Sequence, residues 1–305
     1  PSDRQGTIDV LAEEGSFARK KTGKEETSVR FLCGLACVIA GLAFLCLFLV
    51  APRMRGRRAR RAALTRQPLY AHRGLHDGNR QIPENSLPAF RLAAEKGYGV
   101  ELDVHLTADG VLVVHHDDSL KRLCGVDRRI SEITLAELSE YRLAETQEKV
   151  PTLDEVLEAV GGRVPLIVEL KSDRPGDTAL AEKLNARMAR YSGFYCVESF
   201  DPLLMRWYKK HAPQVIRGQL AADAAEGQKY ADFWHFAQAN LLGNFLSRPD
   251  FVAYGYRTDG NFGFQAMRLL FRPLLVAWTV RSQQDFEKLQ KRYDAQIFEA
   301  FIPRP

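Results

Sequence analysis

From residue 68 to the carboxyl end, short apolar runs alternate with longer segments of helical period. This alternation constrains the fold more than any other feature, because a strand that returns through a helix to a neighbouring strand builds a parallel sheet, open or closed. Strands are expected at 69–71, 100–106, 111–114, 166–170, 195–197, 215–220, 251–254, 275–280 and 296–298, and helices at 86–96, 153–160, 177–191, 202–211, 263–271 and 282–292. A closed α/β barrel needs eight strands, so one of these nine runs is superfluous or accessory to it, and 251–254 reads as the weakest. The chain has 305 residues. Setting aside the first 66 leaves about the length of one such barrel.

The first 66 residues are of another character. Residues 1–30 are polar and mixed in charge, with neither caps nor a sustained apolar period, and read as a tail. Residues 31–50 (FLCGLACVIAGLAFLCLFLV) carry no charge. At about 1.5 Å per residue they match the roughly 30 Å hydrocarbon layer of a bilayer. A core helix would show a polar face, and a signal peptide would offer a small-residue cleavage site before Ala51-Pro52, so a transmembrane helix is expected. Residues 51–66 form a basic juxtamembrane linker with seven arginines and no acid, against five Lys/Arg on the amino-terminal flank. The positive-inside rule then places residues 67–305 in the cytoplasm as the globular domain of a single-pass protein, its arginines against anionic headgroups.

Charge divides along the same line. Residues 1–66 hold 13 Lys/Arg and 6 Asp/Glu, whereas the remainder holds 30 and 32. A slightly acidic domain offers no basic stripe for nucleic acid. Cys124 and Cys196 are the only thiols in that domain, lack metal-ligand spacing, and read as small apolar filler.

Strand parity sorts the chemistry around Glu101. In VELDVHL at 100–106, Glu101, Asp103 and His105 share one face, while Leu102, Val104 and Leu106 share the other. If the apolar set meets the helices of a barrel, the carboxylates point inward, where they repel one another unless a cation or proton lies between them. A third carboxylate, Glu169, ends the apolar run LIVELK at 166–171, and ligand sites of parallel barrels lie at the carboxyl ends of strands. Three carboxylates make an all-oxygen set suited to Mg2+ or Ca2+. Lys171, two residues beyond Glu169, and Arg73, just past the first strand, are placed to meet phosphate oxygens. His72 lies at that same strand end. His115 and His116 fall on opposite faces, and parity leaves open which of them faces the site.

The motifs then converge. His72-Arg73-Gly74, PENS at 83–86, ELDVHLTADG at 101–110, VHHDDSLKR at 114–122 and Glu169-Leu170-Lys171 occur in the order found in the glycerophosphodiester phosphodiesterase family, which residues 68–303 resemble. Fainter echoes are Ser199-Phe200 and Trp278-Thr279-Val280. The resemblance implies a (β/α)8 TIM barrel with a small insertion after the third strand, at about 119–150, and a metal-dependent hydrolase of glycerophosphodiesters. It makes His72 and His116 the general acid and base, and Glu101, Asp103 and Glu169 the ligands of Mg2+ or Ca2+. Glu84 becomes a further ligand or a support of one, and Arg73, Lys171, Asn85 and Trp278 become substrate contacts. It also suggests attack by the glycerol 2-hydroxyl to give a cyclic phosphate, which water then opens.

The departures fall on the alcohol side. The family's R-T-T is Arg122-Leu123-Cys124 here, its W-T-V-N ends in Arg281, and its D-G-I-I-T-D-Y-P is matched only loosely by 294–303. An apolar pocket of Phe200, Trp234, Phe264 and Trp278 is one reading of that side. Lysophospholipids are alternative substrates, and a phosphatidylinositol-type phospholipase or an inactive membrane-tethered scaffold are the competing functions.

Overall fold

The computed structural model describes residues 29–172, 174–223 and 233–304, so most of the polar tail lies outside the described residues. The chain divides into two compact units after Phe48. The first carries nearly all of α1 (Val29–Val50), 22 residues with a mean hydropathy of 2.8 and almost no buried side chain.

The second unit, Leu49–Pro305, opens with α2 (Arg57–Leu64). β1 (Leu69–Ala71), α3 (Leu87–Glu95), β2 (Gly99–Leu106) and β3 (Leu112–Val114) follow. Two short helices, α4 (Lys121–Cys124) and α5 (Leu135–Leu138), lead to α6 (Leu153–Val160) and β4 (Leu166–Leu170). The chain continues through α7 (Ala179–Met188), β5 (Tyr195–Ser199), α8 (Pro202–His211), β6 (Ile216–Ala221), α9 (Phe233–Ala239) and α10 (Asn244–Ser247). It ends with β7 (Phe251–Gly255), α11 (Phe262–Phe271), β8 (Leu274–Val280), α12 (Gln283–Leu289) and β9 (Ala295–Phe298).

Eight of these strands run parallel in the order β1-β2-β4-β5-β6-β7-β8-β9, and pairing of β1 with β2 and β9 closes the barrel. The accessory strand is β3, antiparallel to β2, not 251–254 as the sequence suggested. Residues 251–254 lack alternation because both faces are buried: Phe251 and Ala253 fill the barrel, while Val252 and Tyr254 meet the helices. Helix starts follow local chemistry. Ser86 caps α3 by accepting from Ala89 N, and Thr152 with Glu155 forms a capping box on α6. Between β3 and α6 the insertion has its own small core of Leu120, Leu123, Ile130, Ile133, Leu138 and Leu143. Cys196 is buried inside the barrel, and Cys124 packs at the edge of the insertion core, as filler.

The arginine-rich segment is a docked element of the barrel. Leu64, fully buried, seals the amino-terminal end of the barrel beside Tyr70, Phe251 and Leu274. Arg57 donates to the carbonyls of Phe271 and Arg272 at 2.7 and 2.6 Å, and Arg61 pairs with Asp294. Arg60 reaches the buried Asp250 at 3.0 Å, with Arg53 3.6 Å away. Arg55, Arg58 and Arg66 are exposed.

Candidate active site

The Arg-Gly turn after β1 sets the first residues of the site. Arg73 and Gly74 are left-handed (φ 55° and 81°). A Cβ on Gly74 would lie 2.8 Å from the Ala89 Cβ and 2.9 Å from its carbonyl carbon, so only glycine lets α3 approach. The turn aims the Arg73 backbone N–H at Glu101 Oε2 (3.0 Å), while its side chain bonds Glu84 at 2.7 Å and stands 3.5 Å from Asp103. Asn85, also left-handed (φ 54°), donates to Asp103 Oδ2 at 2.8 Å.

Strand pairing brings the carboxylates together. β2 lies beside β4 with Asp103 opposite Glu169, and Leu102 and Val104 face the helices as parity required. One oxygen from each of Glu101, Asp103 and Glu169 lies within 4.8 Å of the others, and all three residues are buried. Burial, reinforced by the Asp103, Glu169 and Glu198 charges, raises the pKa of Glu101 well above normal. Glu169 is likewise pushed up by burial, against the pull of Lys171. Burial would raise Asp103 too, but Lys171, His116, Arg73 and the Asn85 bond hold it far below the ordinary range. The Lys171 ammonium fills the gap, 2.7 Å from Glu169 and 3.2 Å from Asp103. Three converging carboxylates with an all-oxygen donor set and one ammonium for balance fit a hard divalent cation.

Two histidines flank the cluster. His72 Nε2 lies 4.0 Å from Glu101, and its Nδ1 is 3.0 Å from Glu299. Burial lowers its pKa to about 4, outweighing the Glu299 bond, so the ring is neutral near pH 7. His116 lines the same cavity, with Nδ1 2.6 Å from Asp117, which Arg122 holds at 2.6 Å. Its pKa is also lowered, chiefly by burial. His115 is fully buried, 2.9 Å from the Asp117 carbonyl, and lines none of the cavity. The remaining inward histidine, His105, is buried 3.3 Å from the His116 carbonyl.

The cavity, about 420 Å³, also takes in Arg73, Lys171, Glu198, Trp278 and Arg281. Of the four aromatics considered for its apolar wall, Phe200 and Trp278 meet edge to face at 5.7 Å and line it. Phe264 instead packs 4.3 Å from Tyr254 in the outer core, and Trp234 is largely exposed. Glu198 and Glu299 escaped the sequence reading, although each ends an apolar strand run just as Glu169 does.

Buried carboxylates, paired histidines and cationic side chains at the carboxyl mouth of an eight-stranded barrel make a (β/α)8 phosphoesterase. The sequence matches the Glycerophosphoryl diester phosphodiesterase family over residues 72–293, and the chain belongs to that family. A glycerophosphodiester phosphodiesterase of Caldanaerobacter subterraneus is 35% identical over 72% of this chain and 88% of its own length. Glycerophosphodiester phosphodiesterase 1 of Bos taurus is 31% identical over 81% and 82%. Among solved structures, the Thermotoga maritima glycerophosphodiester phosphodiesterase superposes with a TM-score of 0.58 at 27% identity, covering 76% of this chain and 94% of that one. An Oleispira antarctica phosphodiesterase, in complex with the product sn-glycerol-3-phosphate, superposes with a TM-score of 0.62 at 22% identity, over 78% and 94%.

Proposed function

We propose that this phosphodiesterase hydrolyses glycerophosphodiesters to glycerol 3-phosphate and an alcohol, with His72 and His116 as the acid-base pair. The single observation that carries this reading is that both imidazoles line one cavity with Glu101 and Glu169, against which the Asp103 carboxylate clusters from beneath. Glu101, Asp103 and Glu169 would hold Mg2+ or Ca2+, with Glu84 and Asn85 supporting them through Arg73 and Asp103. When bound, the cation supplies charge neutralisation and polarisation at the phosphate. Arg73 and Lys171 face the same cavity and would take the non-bridging oxygens. Each histidine has a carboxylate at Nδ1, which leaves Nε2 for the reacting atoms. One, as neutral imidazole, removes the proton from the attacking hydroxyl, while the other, entering as the imidazolium with its carboxylate partner as counter-charge, protonates the departing alkoxide. The edge-to-face Phe200 and Trp278 would border the alcohol.

We read α1 as a membrane anchor, which its length and hydropathy support, and the arginine surplus of residues 51–66 is the ground for reading the barrel as cytoplasmic. Release of glycerol 3-phosphate from a panel of glycerophosphodiesters and lysophospholipids, with and without chelator, tests the reaction. Turnover that ceases with chelator, and falls ~10²-fold or more in His116→Ala, is the expected result. Near-normal turnover in that variant would sink the assignment, and activity indifferent to chelator would favour a phosphatidylinositol-type phospholipase.

A further inference from the structure

The carboxyl ends of three neighbouring strands, β8, β9 and β1, are followed at once by Arg281, Glu299 and His72. Their side chains form one chain of contacts. Glu299 Oε2 stands 3.0 Å from His72 Nδ1 and accepts from Arg281 Nη2 at 2.9 Å. Backbone bonds fix this arrangement at both ends: Glu299 N donates to Val280 O at 2.9 Å, and His72 N donates to Phe298 O at 2.9 Å. Across the cavity the same order of groups recurs, with Asp117 against His116 Nδ1 and Arg122 against Asp117. The His116 side is local, within VHHDDSLKR at 114–122. The His72 side is assembled from three strand ends that are distant in the chain and adjacent in the barrel.

We propose that Glu299, held in place by Arg281, is the positioning residue for His72, matching the Asp117–Arg122 support of His116; the proposal rests on the catalytic reading of His72. A neutral imidazole carries one proton, and a carboxylate at Nδ1 fixes it there, so that Nε2 presents its lone pair to the cavity. The same carboxylate stabilises the imidazolium formed once the proton has moved. A carboxyl that became protonated could do neither. Burial would raise Glu299, but the His72 bond, together with the His72 and Arg281 charges, holds it down to about 2. Arg281 also limits the rotamers of a side chain one methylene longer than aspartate. Its cost to the site is small, because its guanidinium remains about half exposed.

The test is steady-state kinetics of the full chain loaded with Mg2+ on glycerophosphocholine, using Glu299→Ala, Glu299→Gln, Arg281→Asn and His72→Ala, each checked for folding by circular dichroism. Glu299→Ala is expected to lose ~10²-fold in kcat with KM within about twofold, a loss typical of acid-base support. Added formate should restore part of that loss, because Glu299 is reachable from solvent, and should do nothing for His72→Ala. Arg281→Asn should lower kcat less, about tenfold, and have no further effect once Glu299 is alanine, as expected for groups acting in one chain. Glu299→Gln, which preserves shape and packing, should lie nearer to Glu299→Ala than to the native enzyme. An unchanged kcat in both Glu299 variants, a defect confined to KM, or no response to formate would overturn the proposal. If His72→Ala itself retained native turnover, the catalytic reading would fail instead, and the two failures are thereby distinguished.

Discussion

At the scale of single residues, the site is a charge balance in which each buried group depends on the next. Glu84 is the clearest example: it is buried, bonded to Arg73 at 2.7 Å, to Arg122 at 2.7 and 3.0 Å and to Asn79 at 3.0 Å. Burial would raise its pKa, but Arg122, Arg73 and Asn79 hold it far below the ordinary carboxylate range. Because the folded-state value is the lower one, Glu84 stabilises the fold at pH above the unfolded value near 4.5, and this contribution is lost as pH falls. Glu84→Gln is therefore expected to be about 3–5 kcal/mol less stable at pH 7, as when one partner of a buried pair is removed. Denaturant midpoints should also fall less steeply below pH 4.5 in the variant than in the native chain. A parallel pair of profiles would contradict that account. Gly74→Ala should destabilise by about 1–3 kcal/mol or more, since the added methyl meets both a left-handed backbone and Ala89. Thermal unfolding of the purified variant checks this.

At the scale of elements, the sequence was most legible where one face of a strand is polar and least where neither is. In VELDVHL the alternation placed Glu101 and Asp103 inside correctly, and LIVELK located Glu169 at a strand end. Phe251–Gly255 gave no such signal because the barrel interior is apolar at that level. Choosing His116 over His115 required the family motif, since their strand ends before either residue and parity there is undefined. The arginine run misled for another reason. RRARRAAL has too little apolar surface to announce a packed helix, and only tertiary partners, Asp250, Asp294 and two carbonyls at the end of α11, reveal why it folds there. We propose that the folding unit extends amino-terminal of Gln67 to include α2, whose Leu64 packs in the barrel end. A chain starting at Gln67 would lose Leu64 from the barrel end, costing about 2–5 kcal/mol by analogy with core truncations. At 2–4 °C per kcal/mol this predicts a thermal midpoint roughly 5–20 °C below that of a chain starting at Leu49. Equal midpoints would show that α2 is dispensable.

At the scale of the whole molecule, charge and chemistry are separated along the barrel axis. The amino-terminal end is sealed by α2 and its arginines, whereas the carboxyl mouth holds the carboxylates, histidines and Lys171. This separation lets the chemistry-bearing strand ends carry charges that a core could not tolerate, while Leu64, Tyr70, Ile167 and Phe251 pack beneath them. The strand-helix alternation was sufficient to expect a parallel sheet, open or closed, and the resemblance carried by five ordered motifs was needed to expect a closed barrel and a phosphodiesterase. The support of His72 was not legible, because Glu299 and Arg281 acquire their meaning only when β8, β9 and β1 lie side by side. The central claim is that this mouth releases glycerol 3-phosphate in a cation-dependent reaction. Phosphorus NMR of glycerophosphocholine incubated with the full chain tests it most directly. The diester signal should give way to glycerol 3-phosphate, stop when chelator is added, and resume on return of Mg2+ or Ca2+. Accumulation of phosphocholine instead, or turnover that continues unchanged in chelator, would contradict the account.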